Sequence, residues 1–317
     1  MSDCKYCLFY EERMISFEGM SFPASAGYCH CNDGVYDVDT EVFIQSILKD
    51  DCEDYVKGVN LRLSEIEEEY GITILYAVES GSRMWGFSNK DSDFDIRFIF
   101  RYNDIKEYVK LSGRKEVINF IDGVFDFEGW DISKALFLHY KNNPSLREWL
   151  LSPIKYIDSG LLDVLKGRNF NKEVLLHHYK SMALNNWKDF CEGIYNWLGQ
   201  DDEVRMIKKY LYVLRCILTF DILRGSDLNP SIEIHGLLKE HILMFHEDDL
   251  LYESILLLIE RYSNHDIKVK YRNIEFLYEF IENSLRDMRE YCAELTVVND
   301  SDLSFYDDLL YEILFMD

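Results

Sequence analysis

Val59, Leu63, Ile66 and Tyr70 recur at steps of four, three and four, which lines them along one face of a helix. Gly71 follows them at the place where a left-handed residue usually ends a helix. The run from Ile72 to Val78 is short, apolar and rich in β-formers, and predicts a buried strand. A second strand is predicted from Asp93 to Phe100, and a third from Val117 to Phe127 with a turn at Asp122-Gly123. Beyond Asp131 the apolar spacing is helical almost throughout. Asn143-Pro144 is a good helix start, because proline loses nothing at the first helical position. Further helices are predicted near 173–198, 202–224, 233–245, 247–262, 272–293 and 302–315. Residues 1–52 show little periodicity and carry the turn formers Gly27, Asp33 and Gly34. The pattern therefore divides the chain into a cysteine-rich module (1–52), an α/β unit (53–157) and an all-helical C-terminal domain (158–317).

Composition fits that division. The 317 residues are 48% hydrophobic and 15% aromatic, ample for sizeable cores and far from a disordered composition. With 34 Lys plus Arg against 58 Asp plus Glu, the net charge is −24. Such a surface repels a phosphate backbone unless basic residues gather in one cleft. Nonspecific duplex binding and attachment to an anionic membrane are disfavoured. No apolar run approaches the roughly 20 residues of a membrane span, and Met1-Ser2-Asp3-Cys4-Lys5 lacks the pattern of a signal peptide. A cytoplasmic location is expected.

Most of the candidate chemistry lies in Val78-Glu79-Ser80-Gly81-Ser82-Arg83-Met84-Trp85-Gly86-Phe87 and the following Asp91-Ser92-Asp93-Phe94-Asp95-Ile96-Arg97. A Gly-Ser pair after a buried strand lets the backbone approach an anion closely, with Ser82 adding a hydroxyl and Arg83 a charge. Asp93 and Asp95 alternate with aromatic and aliphatic residues, so a strand presents both carboxylates on one face. Two hard oxygen ligands at this spacing suit Mg²⁺, completed by water and triphosphate oxygens. A bare D-x-D is common by chance; its place after a strand and a Gly-Ser pair gives it weight.

These residues resemble the signature of the DNA polymerase β-like nucleotidyltransferases. Gly129-Trp130-Asp131-Ile132-Ser133-Lys134-Ala135-Leu136, Asn143-Pro144, Glu148-Trp149-Leu150, Ser152-Pro153-Ile154 and Lys208-Lys209-Tyr210-Leu211-Tyr212-Val213-Leu214-Arg215 are similar to words of the RNA-repair-associated group, the RlaP type. The likeness spans roughly residues 70–240. It implies an α+β fold with a small mixed-sheet nucleotidyltransferase core followed by helices, and Mg²⁺ (or Mn²⁺) and a nucleoside triphosphate, ATP among them, as ligands. It also implies a third acid. The candidates are Asp126, within the third strand, with Asp131 as the alternative and Glu128 behind both. Two metal ions on Asp93, Asp95 and the third acid would then flank an in-line displacement.

In the helical domain, Lys208, Tyr212 and Arg215 share one helix face and are candidates for contacting phosphate and base. A solvated face over Leu211, Leu214 and Leu218 is the plainer alternative; Lys134 and Lys180 are weaker candidates. Five of the eight cysteines lie in the first 52 residues. Cys4-x-x-Cys7 with Cys29 and Cys52, or Cys31 as the substitute, offers a structural zinc site; unpaired reduced thiols are the alternative. No P-loop motif is present, and Ser82 lacks the sequence context of a hydrolase nucleophile. The expected function is metal-dependent nucleotidyl transfer to an acceptor hydroxyl, most simply of RNA. Transfer to a protein or small molecule, and a non-catalytic nucleotide-binding adaptor that docks a protein partner through the N-terminal module, are the alternatives.

Overall fold

The computed structural model describes residues 10–17, 20–29, 34–35 and 51–315, apart from positions 90–91, 161, 191–201, 228, 246–248, 265–266 and 298–301. Near the N-terminus, β1 (Tyr10–Phe17) and β2 (Met20–Cys29) pair antiparallel, and β3 (Gly34–Val35) adds to β2. Cys4, Cys7 and Cys31 lie outside the described residues, and only the backbone of Cys29 and Cys52 is described, so the zinc expectation falls outside what the structure covers.

Helix α1 (Asp51–Tyr70) buries Val59, Leu63 and Ile66 against the sheet. Gly71 ends it with φ +63°, a conformation that a β-carbon disfavours. The chain turns directly into β4 (Ile72–Glu79), then the single-turn helix α2 (Gly81–Met84), and returns along β5 (Phe94–Tyr102). A 3₁₀ turn (Ile105–Val109) leads to β6 (Val117–Asp122) and β7 (Phe125–Asp131). The predicted third strand is thus two antiparallel strands, divided at Gly123, whose φ is +61°. With β8 (Lys155–Asp158) the sheet order is β6-β7-β5-β4-β8. Only β5 and β7 run parallel, so the sheet is mixed.

Alternation along the strands sorts the sheet's faces. Ile96, Phe98 and Phe100 join the core under α1, with Phe127 from β7. Ile99 and Trp130 face the opposite core, beneath α3 (Ile132–Tyr140) and α4 (Pro144–Leu150). Gly129 pairs in register with Phe98, and a β-carbon at 129 would lie 2.1 Å from the Phe98 ring. Gly129→Ala must push a fully buried ring out of its rotamer, an overpacking error that costs about 1–3 kcal/mol. Denaturant unfolding should show that loss; an unchanged midpoint would mean the sheet can shift to accept the methyl.

A short helix α5 (Asp163–Lys166) leads into α6 (Lys172–Phe190), α7 (Glu203–Gly225), α8 (Ile234–Phe245), α9 (Asp249–Ser263) and α10 (Tyr271–Glu294). Helix α7 is their centre: most residues from Tyr210 to Leu223 are buried, so it reads as apolar almost all round. The last helix, α11 (Leu303–Phe315), packs Tyr306, Leu309 and Ile313 against Ile132, Leu136 and Leu165. By packing it belongs to the sheet unit, although it follows the helical body in sequence. His139 secures it, accepting at Nδ1 from the Tyr306 hydroxyl (2.8 Å) and donating from Nε2 to the Leu165 carbonyl (3.2 Å). Burial pushes the His139 pKa down to about 4, which keeps the ring neutral for both bonds.

Candidate active site

The end of β4 fixes the site. Glu79 is the last strand residue and Gly81 opens α2 with φ +60°, so the chain reverses over the start of β5. The Ser80 amide donates to the Asp95 carbonyl (2.8 Å), and the Asp95 amide donates to Glu79 Oε1 (2.9 Å). A segment after α4 locks the same strand end from the other side. The Ser152 hydroxyl donates to the Glu79 carbonyl (2.7 Å), and the Glu79 amide to the Ile154 carbonyl (2.9 Å). Asp95 is thereby pressed against the Gly81 backbone: a β-carbon at 81 would lie 1.9 Å from Asp95 Oδ2.

Asp95 and Asp126 are directly opposed across the parallel β5–β7 pair. They share the face of the sheet that also carries Arg97 and Glu128, again in register. The Arg97 guanidinium lies between the two acids. Its Nη2 donates to Asp95 Oδ1 and Asp126 Oδ2, both at 2.9 Å, and Nη1 donates to the Asp126 carbonyl at 2.8 Å. Asp93 stands just before β5 and is exposed. Burial raises the Asp95 pKa; Arg97 opposes the shift, Asp126 adds to it, and Lys208 of α7 lies close enough to oppose it as well. Among the described residues, no three His, Cys, Asp or Glu side chains form a ready-made metal cage.

Glu79 is fully buried beneath this site, and that burial pushes its carboxyl up to about 7. The Tyr156 hydroxyl donates to its Oε2 at 2.5 Å, which partly offsets the burial. Between about pH 4.5, the ordinary value, and about 7, the folded chain keeps a proton that the unfolded chain releases. The stabilisation is complete below that window and is lost as pH rises through it. Glu79→Gln should therefore gain on the wild type between pH 5 and pH 8, by about 3 kcal/mol in the limit. Urea unfolding at the two pH values measures it; a difference independent of pH would show that Glu79 does not titrate there.

Residues 57–312 match the model of the RNA repair pathway DNA polymerase beta family, RlaP. The chain belongs to this family. It is a nucleotidyltransferase of the polymerase β type. It is 36% identical over 239 residues to the uncharacterized protein YcgL of Bacillus subtilis, covering 74% of this chain and 86% of that one. To the uncharacterized protein MJ0002 of Methanocaldococcus jannaschii it is 31% identical over 146 residues, 44% and 56% of the two chains. A crystal structure of a nucleotidyltransferase-like protein from Exiguobacterium sibiricum covers 72% of this chain and 75% of its own, with 14% identity and a TM-score of 0.33.

The RlaP-family chain gathers some expected site residues and separates others. Gly81 lies against Asp95, Asp126 opposes Asp95 in register, Lys208 is within electrostatic reach of Asp95, and Asp93 stands just before β5. Ser82 is buried in α2. Arg83 lies over the Phe94 ring and donates to the carbonyls of Ser92 (2.7 Å) and Asp93 (3.2 Å), fixing the loop that carries Asp93. Asp131 lies five residues beyond Asp126, roughly 16 Å along the strand. There it caps α3 through the Ser133 amide (3.0 Å) and pairs with Arg114 (2.8 Å) and the Tyr108 hydroxyl (2.9 Å). The Trp130 indole donates to Glu128 Oε1 at 2.8 Å, and Lys134 lies over the Trp130 ring. Lys180 is on α6, near Cys292 of α10.

Arg215 is fully buried, and its Nη1 donates to Glu148 Oε1 at 2.7 Å. Glu148 also receives the Tyr179 hydroxyl (3.1 Å) and the indole of Trp85 (3.1 Å), and Trp85 directly follows α2. The Arg215 guanidinium and the Tyr212 ring both pack on Trp85. The ring of Phe87 then enters the core of the helical body. Arg215 and Tyr212 thus reach the Gly81 turn through Trp85. Sequence reasoning missed three participants: Glu79, Arg97 and Glu148. Arg97 carried a legible signal, standing two residues past Asp95 on the same strand face.

Proposed function

We propose that the chain transfers a nucleoside monophosphate from a triphosphate to a hydroxyl at an RNA end, using a divalent cation. The observation that carries this reading is the contact between Gly81 and Asp95, beside the in-register pair Asp95–Asp126. It leaves backbone, rather than a side chain, at the point where phosphate and carboxylate must meet through a cation. The donor set fits Mg²⁺, which is held by one or two carboxylates together with substrate phosphates and water rather than by an all-protein cage. Asp93 and Asp95 would hold the ion, with Asp126 on the acceptor side. When bound, it would neutralise charge on the phosphates and favour ionisation of the attacking hydroxyl.

In that reaction the acceptor oxygen bonds to the α-phosphorus, the bond from that phosphorus to its bridging oxygen breaks, and pyrophosphate leaves. The backbone of the Gly81-Ser82 turn would supply the surface on which the triphosphate rests, since the Ser82 side chain is buried. Lys208, exposed and within electrostatic reach of Asp95, would supply positive charge to the polyphosphate. Arg215, Glu148 and Trp85 position the Gly81 turn from behind. The family description supports RNA as the acceptor; the net charge of −24 restricts contact to a short stretch near the site.

Incubation with Mg²⁺, labelled triphosphates and either total RNA or protein lysate tests the acceptor. Label in RNA is the expected result. Label in protein with none in RNA would replace the acceptor and keep the chemistry. No helix among the described residues is long and apolar enough to cross a membrane.

A further inference from the structure

Asp95 uses its two carboxylate oxygens for different tasks. Oδ2 lies against the Gly81 backbone, on the side where the triphosphate of the proposed reaction would rest. Oδ1 accepts from Arg97 Nη2 at 2.9 Å, and the same nitrogen donates to Asp126 Oδ2 at 2.9 Å. The point equidistant from the two acids is therefore filled by a permanent cation. Arg97 is not loosely placed there: Nη1 is held by the carbonyls of Asp126 (2.8 Å) and Ile96 (3.2 Å), and its side chain is 13% exposed.

Register explains the arrangement. Parallel pairing sets Asp95 beside Asp126 and Arg97 beside Glu128 on one sheet face, so Arg97 need only lean back by one pair to reach both acids. Two carboxylates this close repel unless a positive charge lies between them. An arginine is always charged and, unlike a metal ion, needs no loading. A divalent cation bridging the same two oxygens would have to take the place of Nη2 and then sit beside a guanidinium of like charge.

We infer that Arg97 takes the place of a second metal ion between Asp95 and Asp126, so that the site works with one divalent cation, shared by Asp93, Asp95 Oδ2 and the triphosphate. The inference rests on the metal-dependent reading proposed above and changes its stoichiometry. Arg97 acts as a positioning residue: it holds the two acids together and supplies the charge that a second ion would bring.

Counting bound ions tests this without any turnover. The full chain is titrated with Mn²⁺ in the presence of a non-hydrolysable nucleoside triphosphate analogue, and free Mn²⁺ is followed by electron paramagnetic resonance against a nucleotide-only control. One Mn²⁺ per site is expected for the wild type and for Arg97→Lys, and two for Arg97→Gln, which opens the place between the acids. Two ions in the wild type would overturn the inference while leaving metal-dependent transfer intact. No ion in the wild type would overturn both. Should Arg97→Gln fail to fold, the wild-type and Arg97→Lys counts decide alone.

Discussion

Gly81→Ala should abolish nucleotidyl transfer while leaving a folded protein. The added methyl group would be placed 1.9 Å from Asp95 Oδ2 and 2.7 Å from its carboxyl carbon, on backbone with φ +60°. Neither the strand nor the turn can yield easily. The Ser80 amide is bonded to the Asp95 carbonyl, and Glu79 is held by Ser152 and Ile154. Asp95 must therefore rotate away from the turn, which would remove the proposed metal ligand and fill the proposed phosphate surface together. A displacement of this kind at the reacting centre lowers turnover by about 100-fold or more. The conformational strain adds about 1 kcal/mol of destabilisation. Triphosphate affinity by calorimetry and turnover by product formation check the two effects separately. Unchanged affinity for the triphosphate would remove Gly81 from the phosphate site.

Asp95→Asn separates function from stability. Burial raises the Asp95 pKa, which means that folding opposes its ionised form. The isosteric amide removes that penalty and keeps an oxygen acceptor for Arg97. Turnover should fall by about 100- to 1000-fold, the size of losing one polar group that acts on the transition state, while the melting temperature stays level or rises. Asp93→Asn should show a similar loss of turnover with no gain in stability, since its side chain is exposed. An Asp95→Asn variant that unfolds at markedly lower temperature would mean that this carboxylate serves the fold.

Much of this arrangement was legible in the residues. The strand from Ile72 and the strand bearing Asp95 follow from apolar runs and alternation, and Gly71 is read correctly as a helix end. The turn expected at Asp122-Gly123 is where β6 and β7 separate, so the stretch read as one strand with a turn is the β6–β7 hairpin. A period of two cannot give strand order: the opposition of Asp95 and Asp126 depends on β7 running parallel beside β5. Buried polar contacts are hidden for the same reason. Glu148 is 67 residues from Arg215, and no local pattern shows that they meet beneath Trp85. The return of α11 to the sheet unit is another long-range fact, since its apolar stripe fits any core.

The position of the transferred label tests the central claim most directly. Identical reactions with α-labelled and γ-labelled triphosphate, Mg²⁺ and RNA bearing a free terminal hydroxyl are compared for label in RNA and in pyrophosphate. The expected result is α-label joined to the RNA and γ-label released in pyrophosphate, both lost in Asp95→Asn. γ-Label in the RNA, or α-label incorporated equally well by Asp95→Asn, would contradict nucleotidyl transfer at this site.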